Sequence, residues 1–401
     1  MKKAGIAAVT YKDNFGSILQ TYATQRALED LGYRAEIFNI DGVHRQINRR
    51  KVAFYLRRLL EPDEFKYLMD NLVSRSRKKA GVASDKYAEN MRIRAKCYAD
   101  FKQKYLHIMP RVDSFAGLTE QSRACDCVVV GSDQLWRPSN IAGGYYTLDF
   151  VPDDVPKIAC STSFGVSELP KSLHKRARAF LNRMDAISVR ENSGAKLVKA
   201  LTGREIPVVC DPTMLLDAAA WRDIQSEKSF AEGDYILCYL MGDDPAHRDF
   251  ARALRDATGC RIVGLLHGST YIASDEGFAD EEPYDVGPAE FVNLVRHAAY
   301  VCTDSFHCAV FSILHGRRFF AFRRYADESR FSTNDRLHTL LSWTELSDRL
   351  LNGDENAAEM AQRDIDYDAV LDRVAEKRRD SMKYLTDALN MKENGNQTRL
   401  P

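Results

Sequence analysis

Two kinds of apolar pattern alternate along the chain. Short continuous runs at residues 6–9, 127–130, 157–161 and 186–189 are bounded by polar turns, and apolar residues at three- and four-residue spacing fill stretches between them. The runs read as buried strands and the spaced stretches as amphipathic helices. Ile18, Leu19, Tyr22, Ala23, Ala27, Leu28 and Leu31 fall on one helix, Gly32 stops it, and residues 35–40 supply the next strand. Strand, helix, strand is the opening of a parallel-sheet α/β fold. Helices are expected at 173–184 and 193–201, and a strand at 208–210 closes this series.

A second series predicts strands at 235–240, 261–266, 300–302 and 319–322. Its helices fall at 246–258, 288–298, 309–315, 334–350 and 368–390. Polar residues at 217–233 separate the two series. The expected organisation is an α/β chain of two Rossmann-like domains, 1–225 and 234–367, facing each other across a cleft. A C-terminal helix at 368–392 is a candidate for packing back on the first domain, and 393–401 reads as a frayed tail. Residues 44–110 break the rhythm. They read as helical, with Phe54, Tyr55, Leu56, Leu59, Leu60, Tyr67, Leu68 and Leu72 set among Arg/Lys clusters, a helical insertion in the first domain.

Composition narrows the class. The chain has 401 residues, 45% hydrophobic and 28% charged, which excludes wholesale disorder. No apolar run approaches the roughly 18 residues of a membrane span, and no signal-peptide pattern follows Met1. Nine cysteines without a CxxC pair fit reduced thiols, so a cytoplasmic protein is expected. Net charge is zero, 57 basic against 57 acidic residues, which argues against nucleic-acid binding. The zero hides an asymmetry. Residues 44–104 hold 17 Lys/Arg and 7 Asp/Glu, leaving 40 basic and 50 acidic residues elsewhere. A basic helical segment suits a solvated face or peripheral contact with the anionic inner face of a membrane.

Ligands of open α/β sheets bind outside the carboxyl ends of the strands, so polar residues just after strands are the first candidates. Asn14, Gly16 and Ser17 open the first helix, where an anion is favoured; the same residues also suit a plain N-cap. Asp133, in Gly131-Ser132-Asp133-Gln134-Leu135-Trp136, suits acid/base work or a sugar hydroxyl, and Trp136 offers a face on which a sugar can stack. A capping aspartate and a core tryptophan are the alternative. Arg190 ends a strand and suits a carboxylate or phosphate, or a salt bridge to Glu191. Asp304, Ser305 and His307 open the helix at 309–315, where a neutral imidazole or an anion contact fits His307, while Asp304 and Ser305 are also natural caps. No second ligand pair with usable spacing accompanies His307, so no metal is expected. Arg317, Arg318, Arg323, Arg324, Arg330 and Arg336 form a dense group, read as a solvated face with a phosphate-binding subset.

Five stretches then carry a resemblance: Asp13-Asn14-Phe15-Gly16-Ser17 with its flanks, Gly131-Ser132-Asp133-Gln134-Leu135-Trp136, Ser188-Val189-Arg190-Glu191, Cys210-Asp211-Pro212-Thr213 and Thr303-Asp304-Ser305-Phe306-His307. In order and spacing, over about residues 4–345, the chain resembles the polysaccharide pyruvyl transferase family. The resemblance implies a fold like the two-domain glycosyltransferase-B type. It also implies transfer of a pyruvyl group from phosphoenolpyruvate to a sugar diol as a ketal, with release of phosphate and no further cofactor. The acceptor it implies is a glycan or lipid-linked glycan precursor of a cell-surface or exopolysaccharide. Arg190 resembles the family's donor-binding arginine, and His307 the histidine of its Arg-x-His motif. Ser305 stands where that motif has arginine, which removes a charge-assisted contact worth about 1.5–3 kcal/mol. Either Arg323, Arg324 or Arg330 substitutes, or the donor differs. The expected roles are catalysis for His307 and Asp133, and donor binding for Arg190, Asn14, Gly16, Ser17, Ser305, Arg323 and Arg330. Trp136 and Asp304 are expected to hold the acceptor. Competing readings are a glycosyltransferase with a nucleotide-sugar donor and a non-catalytic carbohydrate-binding relative.

Overall fold

The computed structural model describes residues 1–58, 85–224, 226, 228, 230, 232–266, 272–275, 277–324 and 334–391. The chain begins with β1 (Lys2–Ala7), α1 (Phe15–Asp30), β2 (Tyr33–Ile37), α2 (His44–Arg58), α3 (Asp85–Tyr105) and α4 (Phe115–Arg123). It continues with β3 (Cys127–Val130), α5 (Pro138–Gly143), β4 (Lys157–Thr162), α6 (Lys171–Arg183), β5 (Ala186–Val189), α7 (Asn192–Thr202) and α8 (Ala218–Arg222). The second series is β6 (Tyr235–Tyr239), α9 (Pro245–Thr258), β7 (Arg261–Gly264), α10 (Pro288–His297), β8 (Tyr300–Thr303), α11 (Phe306–Leu314), β9 (Arg318–Phe322), α12 (Asp335–Trp343), β10 (Leu350–Leu351), α13 (Ala357–Gln362) and α14 (Tyr367–Leu389).

These strands build two five-stranded parallel sheets, ordered β2-β1-β3-β4-β5 and β10-β9-β8-β6-β7. Both are wound the same way: the chain steps outward once, returns past its first strand, and proceeds to the other edge. The winding reverses between β1 and β3 in one sheet and between β6 and β8 in the other. A crevice opens at such a reversal, outside the carboxyl ends of the strands. Helices cover both faces, so β3 is buried at every position and reads as an unbroken apolar run.

The two sheets do not simply face each other across open space. One continuous apolar cluster runs from Ile6 and Leu19 to Leu237, Phe291 and Phe311. At its centre Phe15, the first residue of α1, stacks on Phe291 at 4.6 Å and 9°, packs on Tyr98 at 5.2 Å and meets the edge of Tyr239 at 5.6 Å. Inside the insertion, α3 is not a solvated face over one sheet. It buries Tyr98 and Phe101, and the Arg94 guanidinium donates to the carbonyls of Leu266 and Pro283 beside the second sheet. At the C-terminus, α14 lies against the first series. Arg378 Nε donates to the Met214 carbonyl at 2.7 Å, Ser381 Oγ accepts from Cys210 N at 3.0 Å, and Tyr384 donates to the Ala159 carbonyl at 2.8 Å.

Two elements differ from the sequence expectation. The stretch read as one helix at 334–350 stops at Trp343; Glu345 takes a φ of 59°, and Leu350–Leu351 forms a short strand along β9. Two leucines carry no periodicity by which to tell strand from helix. The run at 208–210 makes a single bridge, Val208 to Val189, because Pro207 beside it has no N–H to donate. No helix among the described residues is long and apolar enough to cross a membrane, and all nine cysteines are free thiols. Leu59, Leu60, Tyr67, Leu68, Leu72, Arg330 and the tail at 393–401 lie outside the described residues.

The Phe15 ring predicts a measurable cost. Phe15→Ala leaves a cavity bordered by both sheets and is expected to remove about 3–5 kcal/mol of stability, read from urea unfolding followed by tryptophan fluorescence. An unchanged midpoint would show that this ring does not hold the halves together.

Candidate active site

The carboxyl-end loops of both sheets meet at one buried guanidinium. Arg190 leaves the end of β5 with its side chain 1% exposed. Its Nη1 donates to Asp211 Oδ2 at 2.5 Å and to Ser132 Oγ at 3.2 Å. Ser132 in turn donates to Asp211 Oδ2 at 2.7 Å. Asp133 Oδ1 stands 3.6 Å from Nη2, and Glu191 Oε2 stands 3.9 Å from Nε. From the other sheet, the Phe306 ring lies 4.6 Å from the guanidinium carbon, a cation–π contact. His307 Nε2 lies 3.5 Å from both Arg190 Nη1 and Asp211 Oδ2. A neutral Nε2 accepts from the guanidinium and a protonated one donates to the carboxylate, so one geometry serves both protonation states.

Local sequence explains the placement. Ser305 is the N-cap of α11, and the next turn carries Phe306 and His307 toward the first sheet. His307 fits there because position 16 is glycine: a Cβ on Gly16 would stand 2.0 Å from His307 Nδ1. Asp133 adopts a φ of 82°, a left-handed conformation that aspartate tolerates better than most residues. Its carboxylate accepts from Ser17 Oγ at 2.6 Å and from its neighbour Gln134 N at 2.7 Å.

The charges are mutually adjusted. Burial opposes ionisation of Asp211, but His307, Arg190 and Ser132 outweigh it and hold the carboxyl far below the usual carboxylate range. Burial likewise opposes ionisation of Asp133, and Arg190, His307 and Ser17 reverse the effect. Asp133 therefore remains a carboxylate that accepts hydrogen bonds, which narrows its acid/base expectation to that of an acceptor. Glu191 moves the other way: burial dominates and raises it despite Arg190 and Arg336. Arg336, on α12, has its guanidinium carbon 5.7 Å from the same Phe306 ring. Burial, then repulsion from Arg190, pushes it down to about 9. Arg190 still has two nitrogens, Nε and Nη2, with no hydrogen-bond partner among the described residues.

Several sequence candidates are placed elsewhere or engaged otherwise. Trp136 does not offer a face to a sugar: it is fully buried, donates to the Tyr146 carbonyl at 3.0 Å and packs on Phe164 and Phe180. Asp304 is a clamp rather than an acceptor contact. Its oxygens take the N–H groups of Met241 and Gly242 at 2.8 and 2.7 Å and the Arg324 guanidinium at 3.1 Å. Arg323 binds Asn352 Oδ1 at 2.7 Å and the Leu350 carbonyl at 3.3 Å, at the β9–β10 edge. At the α1 N-terminus Asn14 Oδ1 accepts from Ser17 N at 3.0 Å and His307 lies against Gly16. An anion there would have to displace both. Asp211 carries no role in the sequence reading, Glu191 enters it only as a salt-bridge partner of Arg190, and Arg336 only as one of the arginine-dense group. Asp211 stands inside a quoted motif and Arg336 inside the arginine-dense stretch, and the fold shows that both meet the Arg190 and Phe306 cluster. Among the described residues no group of acidic, histidine or cysteine side chains is arranged to hold a metal.

The Asp211 pairing predicts a pH signature. Its carboxyl is lowered in the folded state, so the stability it contributes is complete above the ordinary aspartate value of about 3.9 and is lost as pH falls below that. Asp211→Asn leaves Arg190 without its closest counter-charge and is expected to cost about 3–5 kcal/mol at neutral pH. The gap to the unaltered protein should narrow below about pH 4, as read from urea midpoints across pH. Parallel curves would contradict the pairing.

No curated protein matches the sequence. A Listeria monocytogenes structure assigned as a UDP-N-acetylglucosamine 2-epimerase superposes with a TM-score of 0.52 at 12% identity, covering 100% of this chain and 99% of that one. The UDP-GlcNAc 2-epimerase of Neisseria meningitidis gives 0.45 at 10% identity, with 96% and 99% covered. MurG of Acinetobacter baumannii gives 0.42 at 9%, with 97% and 99% covered. The first likeness is one of fold, two parallel-sheet α/β domains of the glycosyltransferase-B kind. The family model for polysaccharide pyruvyl transferases matches residues 14–324, a span that starts at the Asn14 cap and ends at Arg324. The chain belongs to the polysaccharide pyruvyl transferase family and is a transferase.

Proposed function

We propose that the protein transfers the pyruvyl group of phosphoenolpyruvate to a sugar diol of a glycan, forming a ketal and releasing phosphate. The observation that carries this reading is the Arg190 guanidinium, which is buried at the meeting of both sheets with Nε and Nη2 lacking hydrogen bonds among the described residues. A donor with one carboxylate and one phosphate calls for two cationic groups. Arg336, reaching the Phe306 ring that Arg190 also touches, is the second. It supplies from α12 the charge that Ser305 does not.

Protonation of the donor's methylene carbon gives an oxocarbenium-like centre at C2. One sugar hydroxyl adds to that carbon, the C–O bond to phosphate breaks, and the second hydroxyl closes the ketal. Phosphoenolpyruvate and diol thus become ketal and phosphate. In this reading His307 Nε2, 3.5 Å from Arg190 and Asp211, holds and returns the proton, and Asp133, kept ionised and already accepting from Ser17, accepts from the attacking hydroxyl. Phe306 and His307 cover Arg190, so the halves must part locally for the donor to arrive.

Phosphate release from phosphoenolpyruvate, measured with a panel of glycan acceptors, tests the reading. His307→Gln is expected to lower kcat by about 10²–10⁴-fold. Arg336→Ala is expected to raise the donor KM by about 10–100-fold with a smaller change in kcat. No release with any acceptor, or a donor KM indifferent to Arg336, would overturn it.

A further inference from the structure

We propose that α2 seats the protein on an anionic lipid surface. The helix, His-Arg-Gln-Ile-Asn-Arg-Arg-Lys-Val-Ala-Phe-Tyr-Leu-Arg-Arg, contains no acidic residue. Positions 45, 49, 52 and 56 follow the four-, three- and four-residue steps of a single helical stripe. All four are exposed: Arg45 and Arg49, then Val52 at 54% and Leu56 at 59%, with Tyr55 beside them at 38%. Seven large apolar side chains are exposed among the described residues, and three of them lie within these five positions. Scattered single exposures are ordinary, whereas a cluster calls for an explanation.

The opposite face of α2 is fastened down, so the stripe has one direction. Ile47 is buried and packs at Gly143 in α5, as does Lys51. Arg50 covers the Phe115 ring at 4.1 Å. At the start of the helix, His44 lies 4.8 Å from the ring of Tyr11, in the β1–α1 loop that continues to Asn14 and Gly16. The surface that α2 would rest on therefore borders the crevice, where a glycan carried on a lipid would be presented. Cations followed by apolar side chains on one exposed stripe match an interface with anionic headgroups above acyl chains. An acidic protein surface would use the arginines but not Val52 and Leu56.

Co-sedimentation of the full chain with vesicles tests this. Binding is expected to vesicles of equimolar phosphatidylcholine and phosphatidylglycerol, not to phosphatidylcholine alone, and to weaken as salt rises. Each surface arginine contributes about fivefold, so Arg45→Glu with Arg49→Glu should lower the partition coefficient by about 30-fold or more. Val52→Ser with Leu56→Ser should lower it by at least about tenfold while preserving the salt dependence. All four positions are exposed, so both variants should keep unaltered phosphate release with a soluble acceptor. Equal binding to both vesicle types, sedimentation of the variants like the unaltered chain, or a chain that stays in solution with every vesicle would each overturn the proposal.

Discussion

The ion pair between Arg190 and Asp211 is the constraint around which the rest is arranged. A buried guanidinium is expensive to desolvate unless it is paired and hydrogen-bonded. Here a carboxylate at 2.5 Å, the Ser132 hydroxyl and an aromatic face surround it. The carboxylate and hydroxyl come from the ends of the first sheet, the aromatic ring and the nearby imidazole from the second. The pair therefore does two things with one set of contacts. It fixes the electrostatics of a buried cluster, and it ties loops at the carboxyl ends of both sheets together.

Apolar packing makes that geometry repeatable. Phe15 opens α1, the helix whose next residue is Gly16, and its ring stacks on Phe291 across the boundary. Moving this ring would shift the surface against which His307 lies. The aromatic cluster and the charged cluster at the crevice are thus joined through two adjacent residues, Phe15 and Gly16. α14, bonded back to Cys210, Met214 and Ala159, and α3, bonded to Leu266 and Pro283, brace the same arrangement from outside.

Much of the fold is legible from the sequence because parallel strands buried on both faces leave unbroken apolar runs, and the turns after them are polar for a physical reason. Arg190, Asp133 and His307 stand out on that basis. What sequence spacing cannot show is pairing at long range. Asp211 is 21 residues from Arg190, and His307 is 117, so neither partner is implied by a local motif. Nor can spacing distinguish an offered group from an engaged one. Asp304 looks like a crevice carboxylate until its oxygens are seen filled by Met241, Gly242 and Arg324, and Trp136 looks like a platform until Phe164 and Phe180 are seen against it. Arg336 is hidden differently, as one arginine in a dense stretch in which Arg318 binds Asp364 and Arg323 binds Asn352.

The central proposal is that Arg190 receives an anionic donor through Nε and Nη2, which have no hydrogen-bond partner among the described residues. Calorimetric titration of the full chain with phosphoenolpyruvate, beside Arg190→Lys, addresses it most directly. Lysine keeps the positive charge but loses the planar fork that meets a carboxylate or phosphate with two bonds. One donor is predicted to bind per chain, with affinity at least about tenfold weaker in Arg190→Lys. No heat of binding in the unaltered protein, or equal affinity in the two, would contradict the assignment.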